Sequence, residues 1–230
     1  MEIQHAKVNW NLKNLNSVLE KSNTLILGSF NPNNPNENTD FYYGRNTNHF
    51  WKSISRNLKL PENHFTKNLQ NKIDCMDKYQ FFFCDMIDSI ELKCDNNVIL
   101  NQYINEHIYT NYSDIELFRV RPYVFRNNEI FKKVNYNDLI IEVLEQNKIS
   151  RVIHTLGNSR INKNALANPL NNNLGFNPFV TLISNTCINN QIEFITTSYS
   201  PSQVAVNRGG QLYKDNLDNW INKNIIQIIH

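Results

Sequence analysis

Residues Thr24 to Trp51 read TLILGSFNPNNPNENTDFYYGRNTNHFW. The run opens on Leu25-Ile26-Leu27 and stops at Gly28. A short apolar run without alternation, closed by glycine, predicts a strand buried on both faces in an α/β sheet. The next dozen residues are Asn, Pro and Glu with almost nothing apolar, so a loop follows at the C-terminal end of the strand. Open α/β sheets bind ligands at that end. Then come Phe41-Tyr42-Tyr43-Gly44-Arg45 and Asn48-His49-Phe50-Trp51. Aromatic rings beside amides and a guanidinium, just past a strand end, suit a flat polar ligand such as a nucleobase.

Working outward, Leu12, Leu15, Val18 and Leu19 predict a helix over Asn9–Glu20. Phe50, Trp51, Ile54 and Leu58 share one face of a helix over Asn48–Leu58, which Pro61 closes. Phe65–Ile73 reads as a second amphipathic stretch. Tyr79–Ile87, YQFFFCDMI, has strand character and carries Asp85. Helices are expected over Asn97–His107 and Asn137–Glu145, the latter capped by Asn135 or Asn137. Arg151–Leu156 and Glu193–Thr197 are expected strands, and Tyr213–Ile225 a final helix burying Leu217, Trp220 and Ile221. Strands alternating with helices predict a three-layer α/β/α sandwich with a mainly parallel central sheet.

Composition bounds the rest. The 230 residues suit a single domain spanning 1–230, with a possible insertion at about 90–134. Hydrophobic residues make up 40% and aromatics 11%, enough for a core. The net charge of +2 and pI near 8.3 permit nucleic-acid binding without arguing for it, so any such surface needs local clustering. Phe118–Lys133 is the most basic stretch, with Arg119, Arg121, Arg126, Lys132 and Lys133 among aromatics. It reads either as a phosphate-tracking surface or as a solvated basic face. Asn runs such as Asn171–Asn173 read as solvated loops. The N-terminus has no apolar signal core, and no apolar run approaches the roughly 18 residues that span a membrane. Cys75, Cys84, Cys94 and Cys187 lack C-x-x-C spacing. They predict reduced thiols in a cytoplasmic protein and argue against an iron–sulfur cluster.

The motifs G-S-F-N-P, F-Y-Y-G and N-H-F-W resemble the first active-site motif of the uracil-DNA glycosylase superfamily, closest to its mismatch-specific and hypoxanthine-DNA glycosylase branch. Ser198-Tyr199-Ser200-Pro201-Ser202, leaving a strand end, is similar to the family's S-x-S-P loop. The sequence departs from the pattern at Arg45-Asn46, where the family has His-Pro, and at Phe30, where its strongest members carry a water-positioning Asp.

The resemblance implies a monofunctional DNA N-glycosylase that flips out a deaminated or altered base, uracil or hypoxanthine foremost, and hydrolyses its glycosidic bond. It implies no cofactor, no metal, no membrane, a monomer, and DNA carrying a damaged base as partner. The catalytic group of the hypoxanthine branch maps onto Asn48, which in isolation reads first as a helix-terminal residue satisfying backbone N–H groups and within the matched motif as the functional amide. Asn31 is a second catalytic candidate, or a plain turn residue before Pro32. Substrate-binding candidates are Gly28, Ser29 and Phe30, the stacking ring of Tyr43, Arg45, and Asp85, which can accept a base N–H or cap the next segment. Ser198, Ser200, Pro201, Ser202 and Arg208 are the DNA-binding candidates, with Gln203 and Val204 as possible wedge residues. His49 and His154 read as structural. A glycosylase for a bulkier modified base, or a nucleic-acid-binding protein that kept the fold and lost the chemistry, are the alternatives.

Overall fold

An apolar run that does not alternate must be covered on both faces, and all five residues of Thr24–Gly28 are buried. The computed structural model describes residues 2–9, 15–33, 40–106, 123–125, 128–146, 148–157 and 176–227. Its strands are β1 (Glu2–Gln4), β2 (Thr24–Gly28), β3 (Phe81–Asp85), β4 (Ile87–Lys93), β5 (Tyr123–Phe125), β6 (Asn128–Tyr136), β7 (Arg151–His154) and β8 (Glu193–Ile195). Its α-helices are α1 (Leu15–Lys21), α2 (Phe50–Asn57), α3 (Leu69–Tyr79), α4 (Asn97–Asn105), α5 (Leu139–Gln146), α6 (Phe176–Asn189) and α7 (Gln203–Ile221).

The central sheet runs β3-β2-β7-β8 and every pairing in it is parallel. Helices flank it, giving the expected α/β/α sandwich. Right-handed crossovers that run one way from β2 to β3 and the opposite way from β3 to β7 and β7 to β8 put α2 and α3 on one face and α5 and α6 on the other. The observed pairings α1–α3, α2–α7 and α5–α6 agree with that division. Leu25, Ile26, Leu27, Phe81, Phe83, Val152 and Ile153 form the sheet's share of the core. Full burial of such a side chain contributes about 1.5–3 kcal/mol.

Several expected elements are redrawn. The single strand expected over Tyr79–Ile87 is broken at both ends. Tyr79 closes α3, and Gln80 takes a left-handed conformation (φ 51°) as its C-cap. After Asp85 the chain leaves the parallel sheet and enters β4. The amphipathic stretch expected over Phe65–Ile73 starts its helix only at Leu69, because the Asn68 side chain accepts the Asn71 N–H as N-cap. The last helix begins ten residues earlier than Tyr213, at Gln203, where Ser202 accepts the Ala205 N–H. It kinks at Gly210, whose φ of 62° suits glycine. Asn222–Ile226 continue it as a π turn.

A second sheet was not expected. It is antiparallel, ordered β1-β4-β6-β5, and joins the first strand of the chain to segments far along it. Ile3, Ile90 and Val134 line its buried face, while Glu91 and Lys133 pair at 2.9 Å on the other. The possible insertion at about 90–134 therefore begins inside β4 and ends inside β6. Arg119, Arg121 and Arg126 of the basic stretch, and Asn171–Asn173, lie outside the described residues.

Candidate active site

In an open parallel sheet the strand order reverses at one place, and the loops there diverge to leave a crevice at the C-terminal ends. Here that place lies between β2 and β7, since β2 is followed by β3 on one side and β7 on the other. The register sets Gly28 beside Asp85 and Leu27 beside His154, so the polar ends of β3 and β7 flank the glycine end of β2 along one edge. Gly28 is required by what crowds it. A Cβ there would land on Asp85 Oδ1 and lie 2.6 Å from the Tyr43 hydroxyl. Carboxylate and phenol thus converge on the backbone of Gly28. Met86 N–H donates to Gly28 O and Ile87 N–H to Ser29 O, both at 3.0 Å, which fixes the start of the loop.

Asp85 is buried and its Oδ2 accepts from His5 Nε2 at 2.8 Å and Asn31 Nδ2 at 3.1 Å. Asn137, a candidate cap in the sequence, donates its Nδ2 to Asp85 O at 3.0 Å and its N–H to Met86 O at 2.9 Å. It staples the turn that carries the carboxylate. The neighbouring Cys84 thiol is pushed up to about 12 by burial, so it stays protonated and is no nucleophile. Burial above all, with the Asp85 carboxylate adding to it, holds the Tyr42 hydroxyl well above its ordinary value.

Tyr43 adopts a left-handed backbone (φ 54°), an uncommon conformation for a residue with a bulky side chain. It is half-buried, and one ring face stacks on Phe50 with centroids 4.9 Å apart. Its hydroxyl lies 2.7 Å from Thr155 Oγ1, which itself donates to Leu27 O at 3.2 Å, so Tyr43 is the donor. The bond ties the loop after β2 to the residue that follows β7. Phe30 is buried, with its ring T-shaped to His5 at 5.8 Å between centroids, so its side chain belongs to the core.

Asn48 Oδ1 accepts the Phe50 N–H at 2.9 Å. Its oxygen therefore serves the start of α2, the helix-terminal role that its sequence position also allowed. Exposed Arg45 and half-buried Asn48 line a small open cleft with Tyr43, Gly44, Trp51 and Lys72. At its base Lys72, 1% exposed, donates to both oxygens of Asp40 at 2.8 Å. Burial lowers the Lys72 pKa, and the Asp40 carboxylate opposes that shift.

The Ser198–Ser202 loop is fixed from four sides. Ser198 Oγ lies 3.0 Å from His154 Nδ1 and accepts the Gly157 N–H at 3.2 Å. His154 Nε2 donates to Thr196 O at 2.9 Å, which leaves Nδ1 as the acceptor for Ser198. Burial drives the His154 pKa down to about 4, against the opposing bond to Thr196. Ser200 donates its N–H to the Tyr213 hydroxyl and accepts that hydroxyl's proton on its carbonyl. Trp220 Nε1 donates to Thr197 O at 2.9 Å. His49 N–H donates to Pro201 O at 2.8 Å, and its Nε2 lies 3.1 Å from Gln203 Oε1. Among the described residues His49 Nδ1 is buried with no hydrogen-bond partner, and burial lowers the His49 pKa. The two motifs that the sequence separates thus touch through His49 and Pro201. Arg208 and Val204 are exposed on the first turns of α7.

His5, Thr155 and Tyr213 carry no sequence signal of their own, and each enters only through a tertiary hydrogen bond. His154 sits at a strand end, which was the one available hint.

No family model matches the chain, and neither a curated protein nor a solved structure does. Among the described residues there is no cluster of His, Cys, Asp and Glu able to hold a metal ion, and no helix long and apolar enough to cross a membrane.

Proposed function

We propose that this chain is a monofunctional DNA N-glycosylase that receives an extruded, deaminated or otherwise altered base at the crevice between β2 and β7. Uracil and hypoxanthine are the foremost substrates, and the enzyme acts as a monomer without a cofactor. The observation that supports this reading best is the convergence of Asp85, Tyr43 and Gly28 at the strand-order reversal, with the Ser198–Ser202 loop seated against the Asn48–His49 turn.

Cleavage of an N-glycosidic bond builds positive charge on the sugar and negative charge on the departing base. In this reading Asp85 accepts an N–H from the base edge, which suits uracil N3–H and hypoxanthine N1–H. Asn48, whose oxygen is committed to Phe50, contributes N–H donors toward the oxygen where negative charge develops. An amide cannot take a proton at neutral pH, so the enzyme depends on a good leaving group. The backbone of the Ser198–Ser202 loop and Arg208 contact phosphates, and Gln203 and Val204 fill the gap left in the duplex. Arg45-Asn46, where the resembled family has His-Pro, keeps a bulkier modified base open as the substrate.

The test is a screen of duplex and single-stranded oligonucleotides carrying uracil, hypoxanthine, xanthine or modified cytosines, with abasic sites as the readout. Excision of at least one base by the native protein, reduced in both Asn48→Ala and Asp85→Asn, is the expected result. A second reading has its own support. Asn48 is used as a cap and Phe30 offers no carboxylate, which fits a protein that binds nucleic acid and performs no chemistry. Tight, salt-sensitive DNA binding with no base removed would select it.

A further inference from the structure

The carboxylate under the crevice is gripped by a residue from outside the parallel sheet. We propose that His5 is a positioning residue that locks Asp85 as a pure acceptor, so that the site selects bases presenting an N–H at that edge. This deepens the preceding reading and rests on its placement of a base in the crevice.

β1 belongs to the second sheet, where Ile3 pairs with Ile90. Past Gln4 the chain peels onto the loop that follows β2. His5 N–H donates to Asp88 O at 3.0 Å, Ala6 N–H to Asn31 O at 2.7 Å, and Asn33 N–H to Gln4 O at 2.8 Å. Backbone bonds on both sides thus fix the imidazole, which is 1% exposed. Lys7 N–H points at His5 Nδ1 from 2.9 Å. A backbone N–H can only donate, so Nδ1 carries no proton and the proton sits on Nε2. That proton faces Asp85 Oδ2 at 2.8 Å. Asn31 gives the same oxygen a second donor. With Oδ2 held twice, the carboxylate cannot rotate, and Oδ1 stays over Gly28 beside the Tyr43 hydroxyl.

An ionised carboxylate has lone pairs and no proton to give. A base edge that carries N–H matches Oδ1; the same edge methylated on nitrogen meets it with a methyl group. Losing His5 frees Asp85 to turn, and the discrimination relaxes. A hydrogen bond to a charged group corresponds to roughly tenfold to a hundredfold in affinity.

The experiment measures equilibrium binding of the full chain to duplexes carrying 2′-fluoroarabino-uracil or its N3-methyl derivative, both resistant to hydrolysis. The native protein should prefer the N–H base by about tenfold or more. His5→Phe and Asp85→Asn should bring the ratio close to one. His5→Gln, whose carboxamide keeps an N–H donor, should restore most of it. Imidazole nitrogen shifts from NMR should report His5 protonated at Nε2 alone. A native ratio near one, full discrimination by folded His5→Phe, or an Nδ1-protonated His5 each overturns the proposal. If the ratio behaves as expected while native uracil is never excised, the positioning role stands and the glycosylase chemistry falls.

Discussion

Gly28 is the residue with the least freedom to change. Its missing side chain is the space into which Asp85 Oδ1 and the Tyr43 hydroxyl reach. Gly28→Ala should destabilise the fold by about 1–3 kcal/mol, as overpacking does. A lowered urea midpoint with unchanged slope is the expected result. His154 gives a pH dependence. Its folded pKa of about 4 lies below the ordinary histidine value of 6.5. Between those values the unfolded chain binds a proton that the folded chain refuses, so stability falls as pH drops from 6.5 toward 4 and levels off below. The largest loss is about 3 kcal/mol at roughly 1.4 kcal/mol per pKa unit. Urea titrations across that range should show the slope in native protein and a flatter profile in His154→Gln. Asn48 was legible as a position of interest from N-H-F-W, whereas the use of its oxygen was not, because a helix start can take either oxygen or water as acceptor.

At the scale of elements, the strands facing both helix layers were readable because burial on two faces demands an unbroken apolar run, as in Leu25–Leu27 and Phe81–Phe83. The segment after Asp85 misled for the same reason: Met86 and Ile87 continue the apolar run and are buried, yet they belong to the turn and to β4. The start of α7 was missed because Gly209-Gly210 interrupts the pattern, and the helix tolerates this only by kinking. Its first turn relies on the Ser202 cap. Ser202→Ala should cost about 1 kcal/mol and lower the melting temperature, while Ser202→Asp should keep most of it. Because Ser202 also accepts from Ser200 Oγ, the same change should loosen the loop and weaken DNA binding if that loop holds phosphate.

Across the whole molecule, stability should fall off from the centre of the parallel sheet. β2 lies between two strands and is buried throughout, whereas β8 is an edge strand with accessible residues. Amide exchange should be slowest in β2, β3 and β7 and faster in β8, read by hydrogen–deuterium exchange. An order in which β8 outlasts β2 would contradict the assignment of the core. By itself the sequence determined the sandwich class, because hydrophobic period and turn residues act over a few neighbours and are written locally. It also marked the two loops that leave β2 and β8. Only the tertiary structure decided that the chain's first strand joins β4 in a second sheet, that His5 meets Asp85, and that His49 meets Pro201. Those contacts join residues tens to more than a hundred positions apart. Each is fixed by the geometry of backbone pairing and hydrogen bonding between elements, for which no single stretch of residues carries a signal.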